Sequence, residues 1–110
     1  MEVFAHKHKI IAAAYLFGSA ARQKMKLYSD LDIAIVSICD IKGMDRINME
    51  TELSNLMKRD VYLVIFHQAE TLLQHQILKY GHLIYERDPA ERVRQETAYR
   101  RVYLDTRHLI

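Results

Sequence analysis

The sequence predicts one small α/β (α+β) domain, in which helices pack on a small sheet. Short apolar runs of strand length alternate with segments whose apolar residues recur at helical spacing. Only three glycines and one proline interrupt the 110 residues, and there is no linker or repeat. Half of the residues are hydrophobic, enough for one core at this length. We therefore expect a single domain over residues 1–110.

The first half of the chain predicts two strands with a helix between them. Residues 10–17 are a continuous apolar run that ends at Gly18, as expected of a buried strand. Ser19 is a good helix N-cap, and residues 19–26 are predicted to be helical. Residues 31–38 are rich in Ile and Val and predict a second strand, which has Asp30 and Asp32 at its start on one face.

The second half predicts three helices and two short strands. Apolar residues at helical spacing mark residues 43–59 (Met49, Leu53, Leu56, Met57) and 70–80 (Leu73, Ile77, Tyr80). Residues 61–66 and 82–86 are predicted strands, and a last helix opens at Pro89. Its apolar stripe is thin, so we expect part of residues 89–110 to contact another protein.

Composition excludes several classes of protein. No apolar run is long enough to span a bilayer and no signal peptide is visible, so we expect a cytoplasmic protein that does not contact a membrane. Cys39 is the only cysteine, so it forms no internal disulfide, and we expect a buried or inert thiol. The net charge of +2 gives no reason to expect direct nucleic-acid binding. The arginines crowded into the last quarter fit either a solvated helix face or a partner-binding face, and the six histidines are best explained as surface residues.

The residues that carry chemistry lie between Gly18 and Asp32. Gly18 has no Cβ and lets a ligand approach, while a helix that starts at Ser19 would offer backbone N–H groups to phosphate. Asp30 and Asp32 point the same way from a strand, about 6–7 Å apart. Such carboxylates suit Mg²⁺, and the combination predicts metal-assisted nucleotidyl transfer.

Gly18-Ser19, ten intervening residues and then Asp30-x-Asp32 resemble the signature of the DNA polymerase beta-like nucleotidyltransferase superfamily, and specifically its minimal nucleotidyltransferase (MNT) members. The resemblance continues through residues 72–88. The tail over residues 103–110 is similar to that of MntA-type antitoxins, which are encoded beside a HEPN-domain ribonuclease toxin.

The resemblance implies a small mixed sheet with helices packed on it, and a protein adenylyltransferase that uses ATP and Mg²⁺ to transfer AMP onto a toxin tyrosine, besides binding the toxin. It assigns Gly18 and Ser19 to the triphosphate, and Asp30 and Asp32 to the metal and catalysis. Residues 89–110 would contact the toxin.

Two departures from the family pattern bear on activity and fold. The family's third carboxylate lies on the next strand, at a position that falls on Tyr62 here. Asp60, two residues earlier, either substitutes for it or simply caps the strand. The alternative function is therefore an antitoxin with weak or lost catalysis that acts by binding. In addition, the helix that usually precedes the first strand is expected to be nearly absent, with His6 and His8 in a frayed terminus.

Overall fold

The computed structural model describes residues 1–18 and 30–107, with side chains up to residue 104. In the described residues the elements are, in chain order, α1 (Glu2–Lys7), β1 (Ile11–Phe17), β2 (Leu31–Ser37), α2 (Gly43–Met57), β3 (Val61–Ile65), a 3₁₀ turn (Phe66–Gln68), α3 (Thr71–Tyr80), β4 (His82–Glu86) and α4 (Pro89–Arg107). None of the helices in this part of the chain is both long and apolar enough to cross a membrane.

The four strands form one mixed sheet in the order β3-β2-β1-β4. β1 is antiparallel to both β2 and β4, whereas β2 and β3 are parallel and are joined by α2. The predicted fold class, a small mixed sheet with helices packed on it, is confirmed. β1 and β2 lie at the centre of the sheet, and the candidate site residues Gly18, Asp30 and Asp32 lie on or next to these two strands.

One face of the sheet, which we call the aliphatic face, is covered by α1 and α2. Its strand residues are mostly large and branched, and Phe4 of α1 and Leu53 of α2 pack on them with almost no solvent exposure. The strand members of this cluster are Ile11, Ala14, Ile33, Ile35, Val61, Leu63 and Ile65. Burial of this apolar area supplies most of the driving force for folding on this side.

The opposite face, the α3/α4 face, is built from smaller strand residues and aromatic rings. Ile77 of α3 and Tyr99 of α4 are buried against it. The strand members are Ala12, Ala13, Tyr15, Phe17, Ala34, Val36 and Val64. The alanines leave room for the helices to approach the sheet closely.

Polar side chains, rather than an apolar stripe, fasten α4 to the sheet. Gln95 and Glu96 are buried. The Gln95 amide donates to the Ser37 carbonyl at 2.7 Å, and the Tyr15 hydroxyl donates to Glu96. Arg92 completes this network by donating to Glu96. The apolar stripe of α4 is as thin as predicted, but the helix still packs on its own domain.

Three details differ from expectation. The N-terminal helix is present, because Phe4 and Ala5 bury themselves against the aliphatic face and hold α1 in place. Leu56 is predicted to belong to the apolar stripe of α2 but is 51% exposed, whereas Met49 and Leu53 are buried and Met57 packs against the same cluster. The Cys39 thiol is exposed, so of the two alternatives expected for it, a buried or an inert thiol, the buried one is wrong.

Candidate active site

Gly18 follows β1 directly and lies against Asp32 of β2. Its φ of 74° is in the left-handed region that favours glycine. The preceding residue, Phe17, pairs with Asp32 across the antiparallel strands. A Cβ on Gly18 would lie 2.1 Å from Asp32 Oδ2. Glycine is therefore required here by backbone conformation and by the space that the carboxylate occupies.

Asp30 and Asp32 form the carboxylate pair predicted from the sequence. Asp30 is exposed just before β2, and Asp32 is half-buried within it. Partial burial and, secondly, the charge of Asp30 raise the pKa of Asp32 above its usual value. A bound cation would relieve both the repulsion and the cost of burial.

Tyr62 lies beside Asp32 on the neighbouring strand. The parallel register of β2 and β3 pairs Asp32 with Tyr62, whose side chain is half exposed. Asp60 precedes β3 and is exposed, and its backbone carbonyl accepts a hydrogen bond from Leu31 at 2.9 Å. Within residues 1–18 and 30–104, no three His, Cys, Asp or Glu side chains are grouped as metal ligands. Asp60 therefore does not join Asp30 and Asp32 in such a group.

The donor set fits Mg²⁺ bound by two carboxylates, with its other ligands from phosphate and water. Mg²⁺ is commonly held in proteins by one or two carboxylates together with substrate phosphates. Ser19 and the helix predicted over residues 19–26 lie outside the described residues. Of the predicted phosphate-binding residues, the structure thus describes Gly18 alone, and the part assigned to Ser19 stays a prediction.

Sequence reasoning missed the buried network around Tyr15. Burial and hydrogen bonding to Glu96 raise the pKa of the Tyr15 hydroxyl, so it remains a donor. The residues involved are 81 positions apart, and nothing in the local sequence pattern links them. Three of the histidines predicted to be surface residues are also partly buried: His8 contacts Glu52, His67 contacts Asp40, and His75 stacks on Tyr103.

Several solved structures share this fold. A crystal structure of a toxin–antitoxin with AMP-PNP matches 98% of this chain and 90% of its own, at 20% identity and a TM-score of 0.79. A second structure is described as a tri-AMPylated Shewanella oneidensis HEPN toxin in complex with MNT antitoxin. A chain of this structure matches with a TM-score of 0.64 at 20% identity, and the match covers 98% of the present chain and 93% of that one. A structure described as a minimal nucleotidyltransferase gives a TM-score of 0.60 at 23% identity, over 74% of this chain and 85% of that one.

At these identities the structural likeness establishes the fold. No curated protein sequence matches the chain significantly. The family model for polymerase beta nucleotidyltransferases matches residues 1–90, which include the glycine and both aspartates of the site. The chain belongs to the polymerase beta nucleotidyltransferase family.

Proposed function

We propose that this protein is an antitoxin that neutralises a HEPN ribonuclease by transferring AMP from ATP to a toxin tyrosine, and by binding the toxin. The observation that carries the proposal is the packing of Gly18 against Asp32, next to Asp30, at one end of the sheet. Support also comes from solved structures of the same fold that contain AMP-PNP or an AMPylated HEPN toxin.

Each described site residue has a role in this chemistry. Gly18 leaves space for the Asp32 carboxylate beside the chain, and Gly18 and Ser19 are the residues proposed to contact the triphosphate. Asp30 and Asp32 present carboxylate oxygens that would hold Mg²⁺, and their mutual repulsion favours the metal-bound state. When bound, Mg²⁺ would neutralise charge on the triphosphate and on the departing pyrophosphate.

The toxin would contact the outer side of α4. Val93 and Leu104, three helical turns apart, are 48% and 49% exposed. Thr97 and Arg100 lie between them at helical spacing and are also exposed. This mixed apolar and basic surface suits a protein partner, because the core of an interface is more apolar than the surrounding surface and is enriched in arginine.

AMP transfer is tested directly with the HEPN protein encoded next to this chain. Incubation with Mg-ATP should add AMP to a toxin tyrosine, as seen by intact mass and peptide mass spectrometry. The double variant Asp30→Asn, Asp32→Asn should abolish transfer, because the metal would lose both carboxylate ligands. Absence of added AMP from a folded, toxin-bound wild-type protein would refute the transferase proposal.

A glycine pair provides a matched control for the geometry of the site. Gly18→Ala should reduce transfer at least about 100-fold, because the new methyl group displaces Asp32 and a 1 Å error at a reacting centre has that scale of effect. Gly43→Ala should leave transfer unchanged, since a Cβ at Gly43 meets no atom within 4 Å. Equal rates for the two variants would contradict the role given to Gly18.

A second candidate function, neutralisation by binding alone, is favoured by the position of Tyr62. This residue stands beside Asp32 where the transferase would need a third carboxylate. Under this alternative, Asp30→Ala with Asp32→Ala leaves toxin neutralisation intact. Tyr62→Asp should then create or strongly increase AMP transfer, because it supplies the missing carboxylate on the same face. Asp60→Asn tests whether Asp60 takes the place of the third carboxylate, because this change lowers AMP transfer only in that case.

A further inference from the structure

Tyr62 lies beside the carboxylate pair, on the side away from Gly18. Asp32 pairs across the sheet with Phe17 of β1, which precedes Gly18, and with Tyr62 of β3. Neighbouring strands are about 4.8 Å apart, and Val64 of the same strand belongs to the α3/α4 face. Because alternate residues of a strand share a face, the side chains of Tyr62 and Asp32 stand side by side on that face.

The backbone around Tyr62 is held in place, whereas its side chain is open to solvent. The next residue, Leu63, donates its N–H to Glu50 at 2.8 Å, and its carbonyl accepts from Arg46 at 3.1 Å. These two side chains of α2 fix the edge of β3. Tyr62 itself is 52% exposed, whereas the hydroxyl of the buried Tyr15 is engaged in a hydrogen bond. The Tyr62 hydroxyl is therefore accessible on a fixed strand.

A cavity of about 550 Å³ gives the Tyr62 ring room to turn. Tyr62 lines this cavity together with Val64, Ala69 and Leu73. A side chain changes direction by moving between staggered rotamers, and open space beside it permits that change. The ring can thus turn from the cavity toward the neighbouring strand, which carries Asp32.

The proposed AMP transfer needs an acceptor hydroxyl on the β3 side of Asp32. In phosphoryl transfer the attacking and leaving oxygens are roughly in line, on opposite sides of the phosphorus. With the triphosphate assigned to Gly18, the pyrophosphate leaves on the β1 side and the acceptor approaches from the β3 side. A tyrosine is longer than an aspartate by an aromatic ring. The Tyr62 hydroxyl therefore reaches beyond the place of a third carboxylate, into the space that an acceptor hydroxyl would use.

We propose that Tyr62 is a self-modification site, which takes AMP from ATP bound at Gly18, Asp30 and Asp32 of its own chain. The inference rests on the proposed AMP transfer and adds a second acceptor to it. The Tyr62 oxygen attacks the α-phosphorus, and a P–O bond forms there as the bond to the oxygen bridging to the β-phosphate breaks. Pyrophosphate leaves with that electron pair, and the phenol proton passes to solvent.

Self-modification is tested by incubating the full chain alone with Mg-ATP. The chain should gain one AMP by intact mass, and peptide mass spectrometry should locate it on Tyr62. Tyr62→Phe should lose the modification, because it removes the attacking oxygen and keeps the ring. Tyr80→Phe, at a tyrosine that is 41% exposed, is the matched control and should be modified like the wild type. Absence of AMP from the free chain would overturn the proposal, as would AMP on Tyr28 with Tyr62 unmodified.

Transfer to the HEPN protein, measured with the same preparation, separates this inference from the proposed function. AMP on the toxin without AMP on Tyr62 refutes self-modification alone, whereas AMP on neither protein refutes both. A mixture of Tyr62→Phe with the double variant Asp30→Asn, Asp32→Asn tests whether the ATP site and the acceptor belong to one chain. Neither variant should be modified in this mixture. AMP on Tyr62 of the double variant would contradict transfer within one chain.

A measurement without turnover tests the geometry. An ATP analogue with a methylene group between the α- and β-phosphorus binds with Mg²⁺ but cannot transfer AMP. NMR of the Tyr62 ring should show a saturable shift when this analogue is added to the wild type, and no shift in the double variant Asp30→Asn, Asp32→Asn. An unshifted Tyr62 ring in wild-type protein that binds the analogue by calorimetry would overturn the proposal.

Discussion

The two faces of the sheet are held by different forces. On the aliphatic face, Phe4 and Leu53 pack on Ile and Leu side chains and expose 1% or less of their surface. On the α3/α4 face the central strand carries alanines and Tyr15, and α4 is attached through Gln95, Glu96 and Arg92. Both faces bury apolar side chains, but the attachment of α4 to the second face also depends on directional hydrogen bonds.

The difference coincides with where the chemistry lies. Asp32 alternates with Ile33, which faces the aliphatic side, so the carboxylates lie on the α3/α4 face of β2. A cavity lined by Ser37, Gln95 and Tyr99 is on that face too, at its opposite end. A sheet with one apolar face can place polar groups on the other and still retain a core.

The largest expected effect is on the aliphatic face. Leu53→Ala should lower the free energy of unfolding by about 2–5 kcal/mol, because it leaves a cavity in a fully buried site. Leu56→Ala, on the same helix but half exposed, should cost no more than about 0.5 kcal/mol. Urea unfolding measures both values, and similar losses for the two variants would mean that the aliphatic face does not dominate stability.

An intermediate effect is expected where α4 meets β1. Tyr15→Phe removes the donor to Glu96 but leaves Glu96 bonded to Arg92, so we expect a loss of about 1–2 kcal/mol in the free energy of unfolding. Tyr62→Phe, at an exposed tyrosine, should change it by less than about 0.5 kcal/mol. Combining Tyr15→Phe with Glu96→Gln in a double-mutant cycle isolates the interaction. A coupling energy near zero would show that α4 is held in some other way.

The smallest expected effect is a gain in stability, whereas the two preceding changes are expected to reduce it. Because the folded state raises the pKa of Asp32, it binds a proton more tightly than the unfolded chain does. Asp32 therefore contributes full stability only below the unfolded pKa, and the contribution is lost as the pH rises through the folded pKa. Asp32→Asn should raise the Tm of the free protein by about 1–3 °C at neutral pH.

This gain should shrink as the pH falls toward about 3.9, the ordinary pKa of an aspartate. Asp60→Asn, at an exposed carboxylate, serves as the control and should give no such pH-dependent gain. A Tm for Asp32→Asn equal to or below that of the wild type at neutral pH would contradict the proposed repulsion.

Much of the secondary structure was predictable because each element is marked locally. The residues of β4 match the predicted strand, and α3 ends before Gly81 as expected. Predictions failed where burial depends on remote partners. The polar segment before β1 forms a helix because Phe4 is buried in the core. Leu56 fits the helical spacing of the apolar residues in α2, but its side chain remains half exposed. Amphipathic periodicity identifies an element, but it does not reveal which face finds a partner.

The sequence by itself determined the family signature, because a glycine near a pair of alternate aspartates is a local pattern with a direct chemical meaning. It also determined the four strands, since apolar runs bounded by polar residues leave few alternatives. The tertiary structure alone decided that Tyr15 bonds Glu96 and that Gln95 and His67 line one cavity. These relations join residues 28 to 81 positions apart, and strand register and helix docking, not local propensity, bring them together.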